Sequence, residues 1–66
     1  MKIKFDQESN AFYVRLNEER IVESEEVEPG VILDYDDKGT VVGVEFLNAS
    51  ERMKGKTLPK FEYETA

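Results

Sequence analysis

The residues in this chain with the most chemical potential are carboxylates. Glu23, Glu25, Glu26 and Glu28 fall within six positions, a density at which oxygens could collect a hard divalent cation. On an extended strand Glu23 and Glu25 share one face and Glu26 and Glu28 the other, which splits the donor set. The same spacing suits a solvated acidic patch that meets a basic protein partner, and no metal ligand is assigned. A second cluster is Asp34-Tyr35-Asp36-Asp37-Lys38-Gly39 with Glu45. Asp34, Asp36, Gly39 and Glu45 stand at the first, third, sixth and twelfth positions of a calcium loop. Lys38, however, occupies the ligand-bearing fifth position, and the flanks alternate as strands do. A tight turn explains Asp and Gly here without an ion.

Nucleophilic catalysis has little to work with. The chain has no His and no Cys, so a nucleophile and its base would have to be Ser or Thr with Lys, or paired carboxylates. Ser9, Ser24 and Ser50 lie in no recognisable elbow, and there is no Gly-rich phosphate loop. A domain this small has little room for a cleft of roughly 300 Å³. No catalytic residue and no cofactor site is assigned. Phe5, Phe12, Tyr13, Tyr35 and Phe46 could imitate a base-stacking platform, but such platforms sit in positive grooves. With 15 acidic against 9 basic side chains and a net charge of −6, neither a nucleic-acid nor an anionic-membrane partner is expected.

The elements that must position these groups come from 66 residues of which 39% are hydrophobic. That length allows one small domain with a small core. Such domains are usually reinforced by disulfides, a metal or a partner subunit. Without Cys or His the third remedy is expected, a homo-oligomer with a dimer favoured. No run approaches the roughly 18 apolar residues of a membrane span, and Met1-Lys2-Ile3-Lys4-Phe5-Asp6 has no signal-peptide character. A cytoplasmic location is expected.

Alternation dominates the first three quarters of the chain. Lys2-Ile3-Lys4-Phe5 and Ala11-Phe12-Tyr13-Val14-Arg15-Leu16, joined by the polar run 6–10, read as a hairpin. Residues 17–20 read as a loop. Residues 21–27 read as an exposed edge strand anchored by Val22 and Val27, because Pro29-Gly30 would stop a helix. Val31-Ile32-Leu33-Asp34-Tyr35, a turn at 36–39 and Thr40 to Phe46 form a second hairpin. Val42, Val44 and Phe46 share one face of its return strand and Val41 lies opposite, as suits a central strand. Gly43 marks a bulge or a close approach by another backbone. Asn48 with Glu51 forms a capping box for a short helix from Ala49 to Lys54, stopped by Gly55. The fold expected is α+β or mainly β: a small antiparallel sheet of two hairpins plus an edge strand, with one short C-terminal helix. Residues 1–50 form the sheet domain, and 51–66 hold the end of the helix and a tail that is not a separate domain. Leu58, Phe61 and Tyr63 are candidates for docking onto this sheet or onto a second subunit. Residues 54–66 carry three lysines against two glutamates, so a body of −7 bears a tail of +1.

The ordered string Val27-Glu28-Pro29-Gly30-Val31, Asp34-Tyr35-Asp36, Gly39 and Val41-Val42-Gly43-Val44-Glu45 resembles the small prokaryotic proteins of the YuzE-like family, domain of unknown function 2283. Phe5-Asp6, Ala11 to Leu16, Leu47 and Ala49-Ser50 extend the resemblance over about residues 2–50. Phe5 stands where the family often has Tyr, and Asn10 and Asn48 where it often has Asp. The resemblance implies no catalytic residues. It does imply, by analogy with members encoded beside toxins, an antitoxin-like role toward a small basic partner. The residues themselves point first to a non-enzymatic, self-associating protein–protein interaction module. The contrasting expectation is a divalent-metal-binding protein or carboxylate-based enzyme.

Overall fold

A strand that alternates apolar and polar side chains can only be stable with its apolar side covered, so the alternation from Lys2 to Phe46 calls for a sheet with two unlike faces. The computed structural model describes residues 1–55 and 60–66 and contains that sheet. Its strands are β1 (Lys2–Asp6), β2 (Ala11–Arg15), β3 (Glu23–Glu28), β4 (Val31–Tyr35) and β5 (Val41–Phe46), followed by one helical turn, α1 (Ala49–Arg52). The order across the sheet is β1-β2-β5-β4-β3, with every neighbouring pair antiparallel. β5 is central, as its apolar content suggested. β3 is an edge, but it is also hairpinned to β4, so β3-β4-β5 is a three-stranded meander rather than a hairpin with a separate edge strand. Residues 16–22 carry the chain from β2 past β5 and β4 to that far edge. Arg15 fastens this connection by donating to the carbonyls of Asn17 and Glu19.

Each tight turn is closed by an acidic side chain. Asp36 Oδ1 accepts from the backbone N–H groups of Lys38 and Thr40, both at 2.9 Å, while Gly39 takes the positive φ of 78° that the turn requires. Asp6 Oδ1 accepts from Glu8 and Ser9 at 3.0 and 3.3 Å. The bond from the Ser9 backbone is the main reason that the Asp6 carboxyl titrates below its ordinary 3.8. A carboxyl held down in the native state adds stability above its unfolded pKa and loses it as pH falls through the native value. Asp6→Ala is therefore expected to melt at a lower temperature than the parent at pH 7, with the two curves converging below pH 3.8. A gap that persists at pH 2 would rule out the carboxylate as its source.

Two irregularities change which side chains share a face. A bulge lies in β3 between Glu26 and Glu28, so Glu28 stands opposite Val31, on the side of Glu23 and Glu25. The expected pairing of Glu26 with Glu28 on one face fails for that reason. The second lies in β5, where Asp34 pairs with Gly43 and Tyr35 with Val41, leaving Val42 as the extra residue. Val41 therefore falls on the side of Leu33 and Val44, not opposite them. Val22 and Val27 are not anchors: they are 52% and 46% exposed, and every residue of β3 is exposed.

The helix is shorter than expected and capped differently. Asn48 sits in the left-handed region (φ 54°) and its side chain caps nothing. Asn10 supplies the cap from the β1–β2 turn instead. Its Oδ1 accepts from Ser50 N–H at 2.9 Å, its Nδ2 donates to Ser50 Oγ at 3.0 Å, and its carbonyl accepts from Ala49 N–H at 2.9 Å. The helix ends at Arg52 with Met53 as its C-cap, and Lys54 already takes a positive φ of 60°, so Gly55 (φ 85°) is not the stop that was expected.

Candidate interaction surface

The register assigns the two faces. One carries Lys2, Lys4, Tyr13, Arg15, Glu45, Asp34, Ser24 and Glu26 and is mostly polar, with the half-buried Ile32 between Glu45 and Glu26. The other carries Ile3 and Phe5 from β1, Phe12 and Val14 from β2, Val44 and Phe46 from β5, and Val31 and Leu33 from β4. Along the β3 edge this apolar face is bordered by Glu23 and Glu25.

The polar face is tied together internally. Tyr13 Oη donates to Asp34 Oδ2 at 2.9 Å, and Ser24 Oγ donates to Asp34 Oδ1 at 2.6 Å. One carboxylate thereby links β2, β4 and β3 across the central strand. Tyr13 reaches Asp34 over Gly43, where a Cβ would lie 2.6 Å from Tyr13 Oη and 2.9 Å from Asp34 Oδ2. Gly43 thus marks a close approach, as expected for a glycine inside a strand, but the approaching group is a side chain. Partial burial, and then the bond to Asp34, push the Tyr13 phenol above its usual 10.0. Sequence reasoning missed this strap, because it joins residues 21 positions apart through the register of three strands. The glycine was its only local signal.

The acidic residues singled out from the sequence do not converge. Glu26 Oε2 accepts from Gly30 N–H at 3.0 Å and closes the β3–β4 turn. Glu25 Oε1 accepts from Tyr35 Oη at 3.2 Å. Partial burial, and then this bond, raise the Tyr35 pKa from 10.0. Of the calcium-loop coincidence, Asp34 is engaged by two hydroxyls and Asp36 by two backbone N–H groups. Among the described residues, no group of three or more carboxylates is placed to hold a metal ion.

The apolar face is where the fold is incomplete. Helix α1 covers one end of it. Ala49 is buried there, and the Arg52 guanidinium lies 5.8 Å from the centre of the Phe46 ring, which is tilted against Phe12 at 6.3 Å. A single turn cannot roof five strands. Phe12, Val14, Leu33, Val44 and Phe46 are all only partly buried, and Ile3 is 36% exposed. Among the described residues the buried apolar set is Ala11, Val31, Val42 and Ala49. The molecule is a slab of 36 × 31 × 20 Å.

Beside α1 a half-open groove of about 430 Å³ is lined by Phe12, Phe46, Arg52, Met53 and Phe61 among others. This overturns the expectation that so small a domain has little room for a cleft: a flat sheet with a partial lid leaves open space that a closed globule of this mass would not. Of the tail residues named from the sequence, Phe61 reaches this groove yet stays 58% exposed, Tyr63 is 73% exposed, and Leu58 lies outside the described residues. Lys60 pairs with its neighbour Glu62 at 3.1 Å rather than with a glutamate of the sheet. No helix among the described residues is long and apolar enough to cross a membrane.

No curated protein and no solved structure matches the chain. One family model does, described as protein of unknown function (DUF2283), and it matches residues 2–50. That span holds all five strands, the Tyr13–Asp34–Ser24 strap and the Asn10–Ser50 staple, and it stops where the helix begins. The chain belongs to this family, DUF2283.

Proposed function

We propose that the chain is a non-enzymatic protein–protein interaction module whose working surface is the open apolar face of its sheet. The observation that supports this reading is the partial exposure of Val14, Leu33 and Val44 on the three middle strands. Apolar surface of this kind, rimmed by charged residues, has the anatomy of a recognition patch. The polar face offers no comparable surface, since its central groups bond to one another. A photo-crosslinking residue placed at Val14 in living cells is expected to form a protein adduct, and the same residue at Lys4 on the polar face is not. Adducts from Lys4 alone, or from neither position, would overturn the reading.

The second reading, an antitoxin-like protein that covers a small basic toxin, draws on the exposure of Glu23, Glu25, Glu26 and Glu28 along the β3 edge. It predicts that the adduct from Val14 contains a basic protein. A cytoplasmic location is part of the proposal in either form.

A further inference from the structure

Resting on the reading of the apolar face as a protein-binding surface, we propose that its occupant is a second copy of this chain, packed face to face about a two-fold axis that runs along β5. The area supports a second copy. The chain exposes 5283 Å², whereas a folded monomer of 7.6 kDa exposes roughly 4,300 Å². The excess, about 1,000 Å², is comparable to the roughly 800 Å² that each partner buries in a standard interface. Residues 60–66 and the edge strand β3, all exposed, contribute to it together with the partly exposed sheet face. Two copies of one apolar face also satisfy each other equally, as an isologous contact requires, and two such sheets at about 10 Å separation make an ordinary sandwich core.

Charge selects the axis. Two sheets can meet face to face through a two-fold lying either along the strands or across them. An axis across the strands stacks β3 on β3 and sets Glu23 and Glu25 of one copy over the same glutamates of the other, which is repulsive. An axis along β5 sets β3 over the opposite edge of the second copy, β1, whose residues on the apolar face, Ile3 and Phe5, carry no charge, so that repulsion is absent.

The test uses the purified full-length chain. Sedimentation equilibrium is expected to give twice the 7.6 kDa chain mass at high micromolar concentration. Ile3→Glu, at a side chain already 36% exposed and so of little consequence for folding, is expected to raise the dissociation constant at least tenfold with an unchanged circular-dichroism spectrum. Because the chain has no cysteine, Glu25→Cys carries a single spin label. Its intermolecular distance is expected near 20 Å for an axis along β5, against about 10 Å for an axis across the strands. A monomer at every concentration would overturn the second copy while leaving the open face to be judged by the cellular crosslinks. A dimer indifferent to Ile3→Glu would overturn this proposal and count against the apolar face as well. A short label distance would overturn the axis.

Discussion

Gly43→Ala is expected to destabilise the chain by about 2 kcal/mol, a large share of the roughly 3–10 kcal/mol available to a domain of this length. The new Cβ would lie 2.6 Å from Tyr13 Oη, 2.9 Å from Asp34 Oδ2 and 3.2 Å from Tyr13 Cζ. The phenol ring is rigid and pinned at its far end, so it cannot yield by a small torsion. It has to swing off the sheet, which gives up its bond to Asp34. A hydrogen bond to a charged acceptor contributes about 1.5–3 kcal/mol, and overpacking adds about 1–3. Against these stands a gain of roughly 0.5–1 kcal/mol, because alanine loses less backbone freedom than glycine in a strand. The mechanism makes the effect conditional on one hydroxyl. In a Tyr13→Phe background the closest atom is gone and Asp34 Oδ2, no longer held by the phenol, can swing away about the Ser24 bond to Oδ1, so the same alanine is expected to cost under 1 kcal/mol. Urea unfolding of the four members of the cycle gives the coupling directly. Additive costs would show that the strain at Gly43 has another origin.

What could be read from the sequence depended on whether one residue or several elements decided the outcome. Ile3, Phe5, Phe12 and Val14 alternate with polar neighbours, and that alone places β1 and β2 and tells their faces apart. Asp36 and Gly39 are a turn in any context, because one closes a backbone loop with its carboxylate and the other accepts a positive φ. Faces went wrong where a bulge shifts the parity. Glu28 and Val41 each changed side through one extra residue, and no local pattern marks a bulge whose cause is the pairing itself. Asn48 shows a related limit. It has the composition of a cap, but Asn10, 38 positions earlier, reaches Ser50 first, and Asn48 is left to turn the chain in the left-handed region. The Tyr13–Asp34–Ser24 strap depended on β5 lying between β2 and β4, a long-range pairing to which the connection 16–22 gives no clue. The open apolar face, by contrast, was foreshadowed by the alternation itself: strands with one apolar side beside a single short helix leave part of that side bare.

That open face leads to the second large effect, a melting temperature that depends on concentration. If two copies complete one core, each tenfold dilution withdraws about 1.4 kcal/mol per dimer, or about 0.7 per chain. In a small domain 1 kcal/mol moves the midpoint by about 4–8 °C. A hundredfold dilution is therefore expected to lower the melting temperature by roughly 5–10 °C, followed by circular dichroism in cells of matched path length. A monomer would melt at one temperature throughout. Ile3→Glu separates association from incidental surface effects. It places a carboxylate at an edge that the proposed axis sets against Glu23 and Glu25 of the second copy, so its midpoint should lie near that of the most dilute parent sample and barely move with concentration. Salt provides a further check on the same contact. Repulsion between the new carboxylate and the β3 glutamates is screened over about 10 Å at 0.1 M ionic strength, so the variant should regain part of its concentration dependence as salt rises. A parent midpoint that stays constant over the hundredfold range would mean that the partly buried side chains of the middle strands suffice for a stable single chain, and that the open face is kept for a different partner.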